Sequence, residues 1–186
     1  MKNTTNTKGN MLYIILSGIF IASLICSNLI FQKFFIWETW LPFIGSYTFE
    51  LSVGILPYPI TFLVTDIISE IYGREKANKV VLSGFISSLF IMIVVTIAST
   101  VSATEWSPVD NDLFVKVFGL YGPAVFASMT AYLTAQFIDI RVFHFWKQLT
   151  NGEHLWLRNN GSTIFSQLVD TASVSVSYTH LRAHET

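Results

Sequence analysis

Asp66 and Glu70 stand four residues apart in an apolar stretch, so on a helix their carboxylates share one face. Two carboxylates this close repel, and a proton or an N–H donor from a ligand relieves that repulsion. Thr61, Thr65 and Ser69 form a neighbouring stripe at the same spacing. Further along, AQFID places Gln136 three residues before Asp139, and SQLVD places Gln167 three residues before Asp170. Each pair presents an amide and a carboxylate on one helix face. The chemistry on offer is acceptance of N–H donors, with a carboxylate able to carry a proton. Catalysis is not indicated. The chain has no phosphate-binding loop, dinucleotide fingerprint, HExxH zinc motif or nucleophile elbow. His144 and His154 lack partners at ligand spacing, and Cys26 is the only cysteine. No catalytic residue, metal site or cofactor is therefore expected, and a gradient or a separate energising partner would have to drive uphill work.

The elements that must position these groups are membrane helices. Of the 186 residues 52% are hydrophobic and only 12% charged, about half the charged share of soluble domains. A net charge of −1 offers no field for nucleic acid. Crossing a bilayer takes about 20 apolar residues in a helix. Segments 11–31, 49–72, 79–101 and 119–146 meet that length, and a fifth begins at 162 and is incomplete by 173. The fold expected is all-α, a polytopic transmembrane helical bundle. An ionisable group at membrane depth costs about 2.5–3.5 kcal/mol and usually faces a bundle interior or a wet cavity. With about 1.5 Å of rise per residue, Asp66 lies about 10 Å in from Gly73, and Asp139 and Asp170 about 12 Å in from Lys147 and Ser162. Three spans thus place acids in one layer, which predicts a shared polar cavity. The repeated Gln-x-x-Asp pattern on consecutive spans is either a weak internal repeat or coincidence.

Arg74, Lys76 and Lys79 lie between spans two and three, and Arg141, Lys147 and Arg158 between spans four and five. With Lys2 and Lys8 they all fall on one side, which predicts a cytoplasmic N-terminus. Trp37, Trp40, Trp106, Trp146 and Trp156 sit near span ends as interface anchors. The stretch 34–47 is too short and polar to cross and is expected as an outer hairpin or surface segment. Pro57 and Pro59 either break span two, as in transporter helices that line a site, or mark its start. Ser83, Gly84, Ser87 and Ser88 point to close helix packing. Asn159 and Asn160 read as loop residues with turn or capping roles. The end of the chain, SVSVSYTHLRAHET, resembles translated sequencing-adapter sequence. The expected organisation is a transmembrane transporter domain over 1–173 and a non-native tail over 174–186.

Two long segments carry a family resemblance. GILPYPITFLVTDIISEIYGREKANKVV (54–81) and AQFIDIRVFHFWKQLTNGEHLWLRNNGSTIFSQLVDT (135–171) closely resemble the signature of the queuosine precursor transporters, also called the VUT family. The region around Asn28 and Lys33 fits more loosely, and the resemblance covers about 24–171. It implies six spans in the inner membrane, both termini cytoplasmic, and import of 7-cyano-7-deazaguanine. This chain departs from that pattern by stopping inside the fifth span. The ligand chemistry agrees, because a deazaguanine presents N–H donors that carboxylate and amide oxygens accept. Asp66, Glu70, Gln136, Asp139, Gln167 and Asp170 are the expected substrate-binding residues, with a small nucleobase, the lipid bilayer and a coupled proton as partners. The alternatives are a membrane-embedded binding subunit of an energised importer, an intramembrane enzyme and a non-transport structural protein.

Overall fold

The structure is a computed structural model that describes residues 2–42, 45–119 and 123–183, with side chains over 9–40, 42, 45–119 and 129–169. In chain order, the described elements are helix α1 (Lys2–Ile30), strands β1 (Phe34–Leu41) and β2 (Gly45–Ser52), a 3-10 turn (Val53–Ile55), and helices α2 (Tyr58–Tyr72), α3 (Arg74–Thr100), α4 (Asn111–Phe118), α5 (Pro123–Leu149) and α6 (Leu155–Ala183). Among the described residues, Gly9–Ile30, Val53–Tyr72 and Arg74–Thr100 are long and apolar enough to cross a membrane. Apolar side chains such as Ile86, Phe90, Ile93 and Ile97 of α3 point outward. A bundle with this inverted surface is a helical membrane bundle.

The stretch after α1 forms an antiparallel hairpin, with Phe34 opposite Ser52 and Leu41 opposite Gly45. Its base is tied to the end of α1, because Val53 N–H donates to Lys33 O (2.7 Å) and the Ser52 hydroxyl to Phe31 O. Helix α2 starts at Tyr58, later than the apolar run suggests. Pro57 stands at its N-cap and Pro59 in its first turn, where a missing N–H costs nothing and the fixed φ suits a helix. The prolines therefore mark a start and do not kink a longer helix.

Gly73, at φ 86°, turns α2 directly into α3 through backbone that L side chains rarely adopt. Gly84 lets α3 close on α1, since a Cβ there would stand 2.6 Å from Cε1 of Phe20. Phe20, Leu24, Phe62, Ile68, Val81 and Ile140 fill the shared core of α1, α2, α3 and α5. Helix α6 lies along α5 after a tight connection in which Asn151, Gly152 and His154 all take positive φ.

The basic segments gather at one end of the bundle. Tyr72 donates to Gly9 O (2.7 Å) and Tyr13 to Lys76 O (3.2 Å), while Lys76 sits 5.1 Å and 5.0 Å over the Tyr13 and Tyr72 rings. Lys147 at the end of α5 and Arg158 at the start of α6 reach Glu70 at the end of α2.

Candidate functional site

Two polar clusters occupy the interior between α2, α5 and α6, one helical turn apart. The first is closed upon itself. Gln136 of α5 is fully buried, and its Nε2 donates to the Tyr132 hydroxyl (2.8 Å) and to Thr61 Oγ1 (3.3 Å) of α2. The Thr65 hydroxyl approaches Gln136 Oε1 at 3.3 Å and also reaches the Thr61 and Phe62 carbonyls. Aromatic edges of Tyr58, Phe62 and Tyr132 cover it, with centroids 5.3–6.1 Å apart. Each amide atom of Gln136 has a partner inside the protein.

The second cluster is not closed. Asp66 (3% exposed) and Asp139 (0%) bring their carboxyl groups within hydrogen-bonding reach of each other. Asp139 Oδ1 accepts from the Ser166 hydroxyl of α6 at 3.0 Å. Neither oxygen of Asp66, nor Oδ2 of Asp139, receives a donor from the described residues. An ionised carboxylate only accepts, so the contact between the two acids becomes a hydrogen bond when one of them carries a proton. A buried acceptor without a donor costs about 1–3 kcal/mol, and more when charged.

One turn further along α2, Glu70 is half-buried between two cations. Lys147 Nζ stands 2.8 Å from Oε2, and Arg158 Nη2 stands 3.4 Å from Oε1. Arg158 is 1% exposed, lies 5.4 Å from the Phe143 ring centroid, and finds no acceptor for Nε or Nη1 among the described residues.

A cavity of about 530 Å³ opens between α2 and α6. Asp66, Glu70, Leu63, Ile67 and Ile71 form its α2 wall, and Leu155, Trp156, Asn159 and Asn160 its α6 wall. That volume suits a small molecule, and an apolar lining with a few convergent polar groups is the usual build of a ligand pocket, roughly 300–1,000 Å³.

The six residues singled out from the sequence are distributed as follows. Asp66 and Glu70 border the cavity, Asp139 backs Asp66, and Gln136 belongs to the closed cluster one turn away. Gln167 sits on the exposed face of α6, beside Ser166 and about 100° around the helix from it. The Asp170 side chain lies outside the described residues, as do the side chains of the tail 174–186. Sequence reasoning missed Arg158, Ser162 and Ser166. Arg158 counts as a loop cation until α6 is seen to start at Leu155. The three residues then fall at i, i+4 and i+8, a polar stripe on one face, all buried. The stripe was visible in the spacing. Asn159 and Asn160 likewise lie inside α6, where Asn160 Nδ2 donates to Trp156 O (2.8 Å).

Among the described residues no group of three or more His, Cys, Asp or Glu side chains could hold a metal ion.

A bundle of outward-apolar helices that folds carboxyl groups inward beside a cavity is a multi-pass membrane protein with an internal polar site. The chain belongs to the family described as "Putative vitamin uptake transporter", whose model matches residues 52–180. The match spans both signature segments and runs seven residues into 174–186. The chain is 32% identical over 121 residues to the "Probable queuosine precursor transporter" of Bacillus subtilis (strain 168), which covers 64% of this chain and 52% of that protein. It is 28% identical over 129 residues to the protein of the same description from Haemophilus influenzae (strain ATCC 51907 / DSM 11121 / KW20 / Rd), covering 68% of this chain and 51% of that protein. The chain thus spans about half the length of the curated relatives it matches. No solved structure matches it.

Proposed function

We propose that this chain is part of a secondary transporter that imports a queuosine precursor, 7-cyano-7-deazaguanine, across the inner membrane, with its N-terminus cytoplasmic. The observation that carries the reading is Asp66, a buried carboxyl group that receives no donor on either oxygen from the described residues, at the wall of a cavity of about 530 Å³. The ligand edge supplies adjacent N–H donors, which two acids spaced one turn apart, Asp66 and Glu70, can accept. Asp139 sits behind Asp66, and the contact between them holds the coupled proton. Gln136 acts by fixing α5 against α2. Both relatives carry names that specify a queuosine precursor. The clustering of basic segments at one end favours that end as cytoplasmic. No group in the site pairs a nucleophile with a base, so the reading is transport without turnover.

The test is uptake of labelled 7-cyano-7-deazaguanine by cells that carry the full-length gene and lack uptake of their own. Accumulation above the vector control, abolished by dissipating the proton gradient, is expected. Equal accumulation with and without the gene contradicts the proposal.

A further inference from the structure

Helix α6 packs along α5 and meets α2 at few points. The Arg158–Glu70 ion pair is among them, and Glu70 also borders the cavity between α2 and α6. We propose that Arg158 is a positioning residue whose bridge to Glu70 is the clasp that closes α6 onto α2 at the rim of this cavity, and that a ligand entering the cavity competes with Arg158 for the Glu70 carboxylate.

Three features carry this. The guanidinium is almost wholly buried, yet the described residues give it one anion, and at 3.4 Å that contact is looser than the 2.8 Å contact of Lys147 with the same carboxylate. Charge-assisted N–H···O bonds are normally about 2.7–2.9 Å, so the Arg158 bridge is the weaker of the two. Two further nitrogens of Arg158, Nε and Nη1, are buried without acceptors among the described residues. A side chain locked for stability alone would have them satisfied, whereas one that exchanges partners leaves donors free in each state. Finally, the Phe143 face at 5.4 Å holds the cation when the carboxylate is withdrawn. Lys147, about one-third exposed, keeps Glu70 neutralised throughout. Glu70 is therefore poised between closing the bundle and accepting a donor from the cavity.

The identity of the competing ligand rests on the function proposed above; the clasp itself does not. The test is the rate at which a polar maleimide labels a cysteine placed at Ile67 on the cavity wall, in the full-length protein with Cys26→Ala. Ile67→Cys should label about five-fold faster or more when combined with Arg158→Gln or Glu70→Gln. The double change should add nothing beyond Glu70→Gln alone, because either single change already removes the Arg158–Glu70 contact. Arg158→Lys, which keeps the charge, should restore most of the slow labelling. A control cysteine at Asp112 on α4 should be unaffected, which shows an intact fold. Unchanged labelling at Ile67 in Arg158→Gln overturns the clasp, and so does a parallel rise at both cysteines, which marks a merely structural arginine. The readout needs no ligand. If labelling responds but 7-cyano-7-deazaguanine gives no protection, the clasp stands and the substrate assignment fails.

Discussion

Two polar clusters on the same pair of helices have opposite character. Around Gln136, four hydroxyl and amide side chains from α2 and α5 satisfy one another and exclude space. Around Asp66, one turn along α2, two acids meet with only one of their four oxygens given a donor by the described residues, and a cavity opens beside them. Polar residues at membrane depth are therefore not equivalent. A completed set joins helices, because breaking it strands buried groups. An incomplete set leaves buried acceptors without donors from the described residues, and it is there that the proposed ligand is placed. Burial alone does not distinguish them, since Gln136 and Asp139 are both fully buried. The count of missing partners does.

Substitutions sharpen this contrast. The largest effect is expected for Asp139→Asn, which removes the carboxyl group facing Asp66: under the proposed proton coupling, uptake by cells expressing the full-length gene should fall by about 100-fold, while thermal stability in detergent should stay level or rise because a buried charge is gone. Equal losses in uptake and stability would erase the distinction between the clusters. Gln136→Leu should do the reverse. It removes the amide that bonds the Thr61, Thr65 and Tyr132 hydroxyls and should cost about 1–3 kcal/mol of stability in a thermal or denaturant assay, with ligand affinity little changed in the folded fraction. Lys147→Gln should have a smaller effect, about 0.2–1 kcal/mol, because the ammonium is partly solvated and Arg158 still faces Glu70. Lys79→Gln marks the lower end: its pairing with Glu75 at 2.7 Å is fully exposed, and neither melting nor uptake should move measurably.

Much of this was legible before any coordinates. Apolar runs gave the helices, and Gly84 in a stripe of small residues announced a close helix approach, though not that α1 makes it. Asp66 and Glu70 followed from their spacing. The hairpin was one of the two forms open to 34–47, but its extension to Ser52 was not, because residues 49–52 read equally well as the start of an apolar helix. Around α6 the reading was drawn to Gln167 and Asp170, which repeat the Gln136 and Asp139 pattern. The helix turns Ser166 toward Asp139 and leaves Gln167 exposed. A rotation of about 100° per residue separates these two neighbours, and a motif without the neighbouring helix cannot say which of them packs inward. Arg158 was hidden for a different reason. A cation near a chain turn normally stays solvated, and its burial depends on Phe143 and Glu70 arriving from two other helices.

The most direct measurement is calorimetric titration of 7-cyano-7-deazaguanine into purified full-length protein, comparing the parent, Asp66→Asn and Gln136→Leu. The account predicts binding by the parent and by Gln136→Leu, and none by Asp66→Asn although that variant remains folded. Binding by Asp66→Asn with parental affinity would contradict it.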